Sequence, residues 1–306
     1  MLRQVILAAS RSNATRTLVE RAPVSRSVVR RFVSGASVDD AVRATKELRD
    51  SGRTVTLDHL GEDTTDAGQA EATVKAYLTL LQHLQDAGLT ADGKAEVSVK
   101  LSAVGQTLDE QLALSNAQTI CEAAKRAGTT VTLDMEDHTT TDSTLGTLAA
   151  LRQDFPTTGA VLQSYLRRTE ADCRDLAVAG SRVRLCKGAY KEPASVAFQS
   201  RQDVDDSYVR CLQVLMAGPG YPMVASHDPR MILIAGDLAR DRQQGTYEYQ
   251  MLYGIRPQEQ QRLADQGETM RVYVPYGDEW YGYFMRRLAE RPANVAFFLR
   301  AVATRS

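Results

Sequence analysis

The chain has 306 residues, of which 43% are hydrophobic and 25% charged, and its 37 basic and 38 acidic residues leave a formal net charge of -1 at pH 7. This composition is typical of a globular protein with a sizeable core, and the balanced charge disfavours nucleic-acid binding. No run of about 18 apolar residues suggests a membrane span. The four cysteines lack CxxC spacing, so we expect buried free thiols rather than a disulfide framework or a zinc knuckle.

Residues 1–50 are predicted to form a helical segment ahead of the main domain. Residues 1–35 are rich in Arg and Ser, with Glu20 as their only acid, which is also the composition of an organellar transit peptide. Helix-compatible apolar spacing instead favours amphipathic helices that cover one end of the main domain; the positions are Leu18, Val19, Val28, Val29, Phe32 and Val33. We expect a cytoplasmic protein whose basic segment either packs on the domain or contacts the inner face of a membrane peripherally.

Residues 51–306 are predicted to form an α/β domain, a (β/α)8 TIM-like barrel. Short β-rich runs alternate with amphipathic helical patterns, and eight such units close a barrel. An open doubly wound sheet is the rival, but the first β/α turn lacks its GxGxxG fingerprint. Helical patterns at 67–88, 108–128 and 203–218 each end in the glycine expected where a helix turns back. The predicted strands are 54–60, 95–102, 129–136, 159–166, 182–190, 223–228, 246–252 and 270–276.

Polar side chains gather at the carboxyl ends of the predicted strands, where barrel enzymes place their catalytic groups. Strand alternation lets Lys100, Asp134 and Arg184 point into the lumen, where an unpaired charge is unfavourable. Taken singly, each could belong to a structural ion network, but so many at one rim favour an active site. The others are Asp58, His59, Glu136, Asp137, His138, Gln163, Lys187, Ser226, His227, Asp228, Glu248, Gln250 and Tyr273.

The last helical pattern, at 278–294, places four functional side chains on one face. Tyr283, Arg286, Arg287 and Glu290 have the spacing i, i+3, i+4 and i+7. Two adjacent guanidinium groups, with Glu290 one turn away to orient them, suit the binding of a small carboxylate.

Several of these motifs together resemble the proline dehydrogenase family, in its short monofunctional bacterial form. They are Asp134-Met135-Glu136-Asp137, the run LQSYLRR at 162–168, RLCKGAY at 184–190, Ser226-His227 and YFMRRL at 283–288. Their order along the chain matches too, and the resemblance covers roughly residues 50–300. It leaves no room for the aldehyde dehydrogenase domain that is fused to some members.

The resemblance implies that FAD binds in the mouth of the barrel without a Rossmann fold. The positions that match the flavin contacts of the family lie in the third to sixth predicted strands. They are Met135, Gln163, Arg184, Lys187, Gly188, Ala189, Ser226 and His227.

The resemblance also implies a binding site for L-proline. Arg286 and Arg287 on the last helix, with Lys100 on the second strand, correspond to the groups that bind the proline carboxylate. Tyr273 and Tyr283 correspond to aromatic rings that close over the proline ring.

Asp134 and Arg184 correspond to the active-site acid and to the arginine near the reactive edge of the isoalloxazine. Oxidising a secondary amine to an imine requires a two-electron acceptor that no side chain supplies. We therefore expect hydride transfer from proline C5 to flavin N5, held at about 3–3.5 Å, with the amine unprotonated. Activity should accordingly rise with pH. Asp134 either holds Lys100 or Arg184 in place or takes part in proton transfer.

Two other activities are alternatives to proline oxidation. A flavin-dependent dehydrogenase of another cyclic amino acid, such as 4-hydroxyproline, is a close alternative, although Tyr273 should crowd a 4-hydroxyl. A metal-dependent barrel hydrolase is the distant one, because His59, His138 and His227 each stand beside an aspartate. That class lacks its expected HxH after the first strand and gives the arginine pair no role.

The resemblance further implies partners. A quinone is the expected electron acceptor, which would suit a peripheral contact with the membrane. A separate pyrroline-5-carboxylate/glutamate semialdehyde dehydrogenase is the expected consumer of the product.

Overall fold

A computed structural model of the chain describes residues 29–61 and 64–290, without the side chains of Asp92 and of residues 286–290. Eight parallel strands close into a barrel in the order β1 to β8, and β8 pairs with β1. The predicted barrel is confirmed. The strands are Thr54–His59, Ala95–Lys100, Val131–Asp134, Gly159–Gln163, Arg182–Cys186, Tyr221–Ala225, Glu248–Leu252 and Met270–Tyr276.

Nine α-helices are present among the described residues, one before β1 and one after each strand. In chain order, α1 to α9 are Val38–Asp50, Ala67–Asp86, Glu110–Arg126, Thr141–Leu151, Thr169–Leu176, Arg201–Ala217, Pro229–Leu238, Pro257–Asp265 and Trp280–Glu290. Short 3-10 turns lie at Ala91–Gly93, Ser102–Val104 and His138–Thr140.

Most predicted strands extend too far at their carboxyl ends. β3, β4 and β5 end at Asp134, Gln163 and Cys186, several residues before the predicted ends. The residues beyond form the loops of the barrel mouth instead of continuing the ladder. β6 begins at Tyr221, two residues earlier than predicted. Pro222 lacks a backbone N–H, yet both residues pair with β5.

Local signals explain where the helices begin and end. Asp66, Asp109 and Ser200 cap α2, α3 and α6, each accepting a backbone N–H of the first turn. Gly88 and Gly128 follow α2 and α3 with φ of +68° and +77°, as expected for helix-terminating glycines. Gly218 differs because its φ is -81°. It is needed for space, since a Cβ there would lie 2.8 Å from the Ala177 side chain.

The main core lies between the outer face of the barrel and the surrounding helices. In β2, Val97 and Val99 are fully buried in that core. The alternate positions Glu96, Ser98 and Lys100 face the lumen, as the two-residue period of a strand requires. The lumen is therefore lined by polar groups and enclosed by an apolar shell.

The segment before β1 covers one side of the barrel. Helix α1 packs on β1, β8 and α2. Val29, Phe32 and Val33 form a second apolar cluster with Phe284 and Met285 of α9. These three residues thus pack on the domain, while the helices predicted over residues 1–28 lie outside the described residues. No helix in the described part of the chain is both long and apolar enough to cross a membrane.

Candidate active site

Arg184 lies at the centre of the polar lumen. Its Nη1 donates to Asp134 Oδ1 at 2.6 Å and to Ser98 Oγ at 2.9 Å, and its Nε donates to Gln250 Oε1 at 2.5 Å. The guanidinium also lies over the Tyr273 ring, 5.4 Å from its centroid. Because Arg184 is only 5% exposed, these contacts hold a buried cation in one orientation.

Asp134 is the carboxylate partner of this cation. Its Oδ1 also accepts from Ser98 Oγ at 2.8 Å, and its Oδ2 accepts from Tyr273 Oη at 2.7 Å. Burial, reinforced by the Asp134 charge, raises the pKa of Tyr273 well above its usual range. The phenol therefore stays protonated and acts as a donor. Of the two supporting roles predicted for Asp134, the structure shows the one toward Arg184.

Lys100 has a different partner, one strand away. Its Nζ donates to Asp58 Oδ2 at 2.7 Å, and the Asp58 side chain is only 1% exposed. The Lys100 side chain is 11% exposed, so its ammonium lies just inside the mouth. An immobilised cation at this depth can attract and orient an anionic group entering the lumen.

A second layer of charges lies beneath Arg184, toward the amino ends of the strands. Arg271 Nε and Nη2 donate to both oxygens of Glu248, at 2.8 and 3.0 Å. Glu96 accepts from Arg182 at 2.6 Å. Burial opposes ionisation of Glu96, but Arg182, Arg271 and Arg184 together lower its pKa. The predicted lumen charges thus belong both to a structural ion network and to the candidate site above it.

The positions predicted to contact a flavin occupy one half of the mouth, after β3, β4, β5 and β6. Gln163 is buried, and its amide donates to the Glu136 carbonyl at 2.7 Å. Ser226 Oγ accepts the Asp228 backbone N–H at 3.1 Å. His227 Nε2 accepts from the Leu252 backbone N–H at 2.9 Å, which places its proton on Nδ1. Met135 is 7% exposed and supplies apolar surface among these groups.

Lys187 lies in a charge network at the rim. Its Nζ donates to Asp205 at 2.5 Å and to Asp228 at 2.9 Å. Arg230 bonds to the same two carboxylates, at 2.5 and 2.7 Å, and Arg201 lies about 4 Å from both. Three cations face two anions here, which favours an anionic ligand at this part of the rim.

The loop after β5 rests on an aromatic ring. Gly188 has φ of +105°, and a Cβ at this position would come within 2.3 Å of the Tyr165 ring. The Tyr165 hydroxyl donates to Glu192 at 3.1 Å, and Glu192 also bonds to the backbone and ring of His138. Only glycine allows the loop to lie this close to the ring. These contacts fix the Lys187–Gly188–Ala189 run beside the mouth.

Helix α9 carries the remaining predicted groups. Tyr283 is 6% exposed and belongs to the cluster that α9 forms with the segment before α1. Arg286 and Arg287 lie in the last turns of α9, as the sequence predicts, but their side chains lie outside what the structure describes. Their role in carboxylate binding therefore stays a prediction.

The histidines considered as metal ligands do not converge. His138 bonds to Glu192 and His227 to the Leu252 backbone, while His59 packs edge-on against Tyr276 at 5.2 Å. Within residues 29–61 and 64–290, no three His, Cys, Asp or Glu side chains are grouped as ligands for a metal ion. The geometry thus does not support the metal-dependent hydrolase alternative.

Three residues that complete the site were not assigned to flavin or proline binding from the sequence. Ser98 and Gln250 hold Arg184, and Asp58 holds Lys100. Their signal was the alternation of polar residues along β1, β2 and β7. That pattern indicates a polar lumen, but the choice of partners depends on the strand register.

The sequence is similar to proline dehydrogenases over nearly its whole length. The family model described as proline dehydrogenase matches residues 41–300. Proline dehydrogenase 1 of Bacillus subtilis (strain 168) is 39% identical over 304 residues, covering 99% of both chains. The proline dehydrogenase of Deinococcus radiodurans is 39% identical over 308 residues, covering 94% of this chain and 96% of the relative.

Larger proteins contain a similar region. The bifunctional protein PutA of Escherichia coli (strain K12) is 26% identical over 320 residues, which span 89% of this chain and 24% of that protein. Among solved structures, proline utilization A from Bdellovibrio bacteriovorus, inactivated by N-propargylglycine, superposes with a TM-score of 0.76 at 25% identity. The match covers 86% of this chain and about a third, 32%, of that one.

Proposed function

The chain belongs to the proline dehydrogenase family, and on that premise we propose that it oxidises L-proline to Δ1-pyrroline-5-carboxylate with FAD bound in the barrel mouth. The observation that carries this proposal is the Arg184–Asp134 pair, held in the lumen at 2.6 Å beneath a rim of polar groups. A buried, oriented cation at the floor of an open mouth is suited to stabilise negative charge that develops above it.

The described residues fit a flavin. Arg184 Nη2 is buried and makes no hydrogen bond to any described residue; it lies 3.8 Å from Glu96 Oε1, too far for a hydrogen bond, so its donors remain for a ligand acceptor. The flavin pyrimidine edge presents such acceptors. Gly188 leaves its loop free of a side chain, and Lys187 and Arg230 supply cations where an anionic pyrophosphate could bind.

The residues that would hold FAD are those on the β3–β6 half of the mouth: Met135, Gln163, Arg184, Lys187, Gly188, Ala189, Ser226 and His227. When bound, FAD would supply the two-electron acceptor, flavin N5, for the hydride that leaves proline C5. The protein contributes orientation and charge, with Arg184 as the cation at the floor of the mouth.

The opposite half of the mouth would bind the substrate. Lys100, fixed by Asp58, and the α9 residues Arg286 and Arg287 would bind the carboxylate. Tyr283 would close over the ring. Tyr273 would form one wall, and the bond from its hydroxyl to Asp134 prevents the phenol from turning away to admit a 4-hydroxyl group. Proline is therefore favoured over 4-hydroxyproline.

Asp134 would act by holding Arg184 and Tyr273 rather than by accepting a proton from the substrate. Both of its oxygens already accept hydrogen bonds from described residues. The substrate amine would then have to lose its proton before oxidation, so kcat/KM should rise with pH toward the amine pKa.

Electrons would pass from the flavin to a quinone-type acceptor, with a peripheral membrane contact at the inner face. A separate dehydrogenase would consume the product. Both proposals rest on the family resemblance, and the bifunctional relatives support the second as a neighbouring activity.

Tetrahydro-2-furoate, which keeps the carboxylate and the five-membered ring but lacks the amine, tests this proposal. It should compete with L-proline in steady-state assays and leave the flavin spectrum oxidised under anaerobic conditions. Flavin reduction by this compound would contradict an imine-forming reaction, and failure to compete would contradict a site built around the carboxylate.

A further inference from the structure

Gln250 of β7 is fully buried in the lumen, on the side of Arg184 away from Asp134. We propose that Gln250 is a positioning residue, which fixes the orientation of Arg184 and thereby tunes the flavin and the rate of its reduction. This inference rests on the proposed function, because it concerns the same site.

The direct contact is a hydrogen bond of 2.5 Å from Arg184 Nε to Gln250 Oε1. The other two oriented bonds of Arg184, to Asp134 and Ser98, both use Nη1. Nη1 alone would let the guanidinium plane pivot about that nitrogen. The bond at Nε is the second fixed point, and together with the covalent attachment at Cδ the two bonded nitrogens set the plane of the guanidinium.

A second contact determines which way the Gln250 amide faces. Its Nε2 donates to Glu248 Oε1 at 2.5 Å. If the amide were reversed, its NH2 group would face the Arg184 donor and its oxygen would face the Glu248 carboxylate. Both of those contacts are repulsive, so Glu248 selects the orientation that presents an acceptor to Arg184.

Glu248 is in turn held by the body of the barrel. Arg271 donates to both of its oxygens, and Arg271 Nη1 donates to the Val55 and Gly93 carbonyls at 2.8 and 3.2 Å. A continuous chain of oriented groups thus runs from the amino end of the barrel through β8 and β7 to Arg184. Every side chain in this chain of groups is at most 6% exposed, so water has little access to replace its hydrogen bonds.

The consequence for the reaction lies in Arg184 Nη2, which lies 3.8 Å from Glu96 Oε1 and makes no hydrogen bond among the described residues. Its direction depends on the plane of the guanidinium. If that plane rotated, the positive charge and the Nη2 donors would move away from a bound flavin, and preorganised stabilisation would be lost.

Gln250→Met tests this inference, because it removes both polar atoms at nearly constant volume. We expect the purified variant to retain about one FAD per chain, as the wild type would. Its kcat should fall by about a hundredfold, as misplacement of an active-site group can cause. KM for proline should change little because the carboxylate is bound elsewhere, and the flavin midpoint potential should become more negative.

Gln260→Met is the matched control. Gln260 is equally buried, accepts from Arg53 Nη1 at 3.1 Å through Oε1 and donates through Nε2 to the Leu252 and Ile255 carbonyls, but it lies on α8 outside the lumen. It should lose thermal stability to a similar degree and keep the wild-type kcat and midpoint potential. If Gln250→Met does not fold, Gln250→Asn withdraws the amide by one methylene and serves instead.

The outcomes separate this inference from the proposed function. The proposed function is overturned if the wild-type protein binds no FAD, or if proline does not reduce its bound flavin. If the wild-type flavin is reduced and Gln250→Met keeps the wild-type kcat and midpoint potential, the positioning role is wrong and the proposed function stands. Equal losses of kcat in Gln250→Met and Gln260→Met would also overturn it, because they would show a general effect of a lost buried amide.

Discussion

The barrel lumen and the rim above β5 and β6 both contain networks of paired charges, in opposite surroundings. In the lumen, the side chains of Arg184 and Arg271 are 6% exposed, and those of Glu96 and Glu248 are fully buried. At the rim, the Arg230 side chain is 58% exposed and that of Arg201 is 83% exposed. The bonds are similar in length, but water can reach the guanidinium groups at the rim far more readily than those in the lumen.

This difference separates two tasks that charge performs in one protein. Lumen charges have no alternative partner, so they keep fixed positions and define the geometry of the site. Rim charges can exchange partners with water or with a ligand at little net free energy. We therefore expect lumen substitutions to affect stability and rate, and rim substitutions to affect mainly the binding of the cofactor.

The largest effect is expected for Arg271→Met, which leaves Glu248 without its buried counter-charge, while Glu96 keeps its ion pairs with Arg182 and Arg184. The free energy of unfolding should fall by about 3–5 kcal/mol, as when one partner of a buried pair is removed. Urea denaturation measures this directly.

Arg262→Met is the control, because it removes an arginine–glutamate pair of the same geometry from an exposed position. Arg262 makes the same two-point contact with Glu259, at 2.9 and 2.7 Å, but on the surface of α8. Its loss should cost about 1 kcal/mol or less. Similar losses in the two variants would show that burial does not distinguish the two regions.

Asp134→Asn sharpens the comparison within the lumen. It keeps the shape of the side chain but removes the charge that holds Arg184 and an acceptor that Tyr273 uses. We expect kcat to fall by about a hundredfold, with FAD still bound, as for loss of a preorganised electrostatic contact. Stopped-flow measurement of flavin reduction checks this, and a wild-type rate constant would show that Asp134 is not needed to position Arg184 and Tyr273.

The sequence predicted much of this arrangement. The eight strands and the lumen position of Asp134 and Arg184 followed from hydrophobic patterning and strand alternation. The pairing of Arg184 with Gln250 could not be predicted, because those residues are 66 positions apart and meet only when the barrel closes. Met135 and Lys187 begin loops, but the sequence predicted them to lie in strands. The loop segments are too short to show a hydrophobic period that would distinguish them from the strands before them.

At the rim, Lys187→Met should weaken cofactor binding while changing stability little. Arg230 remains to neutralise Asp205 and Asp228, so the free energy of unfolding should fall by about 1 kcal/mol or less. The dissociation constant for FAD should rise measurably in fluorescence titrations. A large loss of stability without a change in FAD affinity would show that Lys187 stabilises the fold, as expected of the lumen charges, and does not bind the cofactor.

The smallest effect concerns acid stability. Hydrogen bonds from Arg230 and Lys187 hold the pKa of Asp228 well below its usual range. A carboxyl whose pKa is lowered on folding stabilises the protein above its unfolded pKa, near 4, and loses that contribution as pH falls further. Unfolding of Asp228→Asn, followed from pH 6 to pH 2, should therefore depend less on pH below about 4 than that of the wild type. An unchanged pH dependence would show that the rim pairs are not maintained in solution.

Anaerobic addition of L-proline to the purified protein, followed by absorption spectroscopy, tests the central claim most directly. A yellow protein whose flavin bands bleach as proline is added, and return when an electron acceptor is supplied, is the predicted result. A colourless protein that cannot be reconstituted with FAD, or a bound flavin that stays oxidised in excess proline, would contradict it.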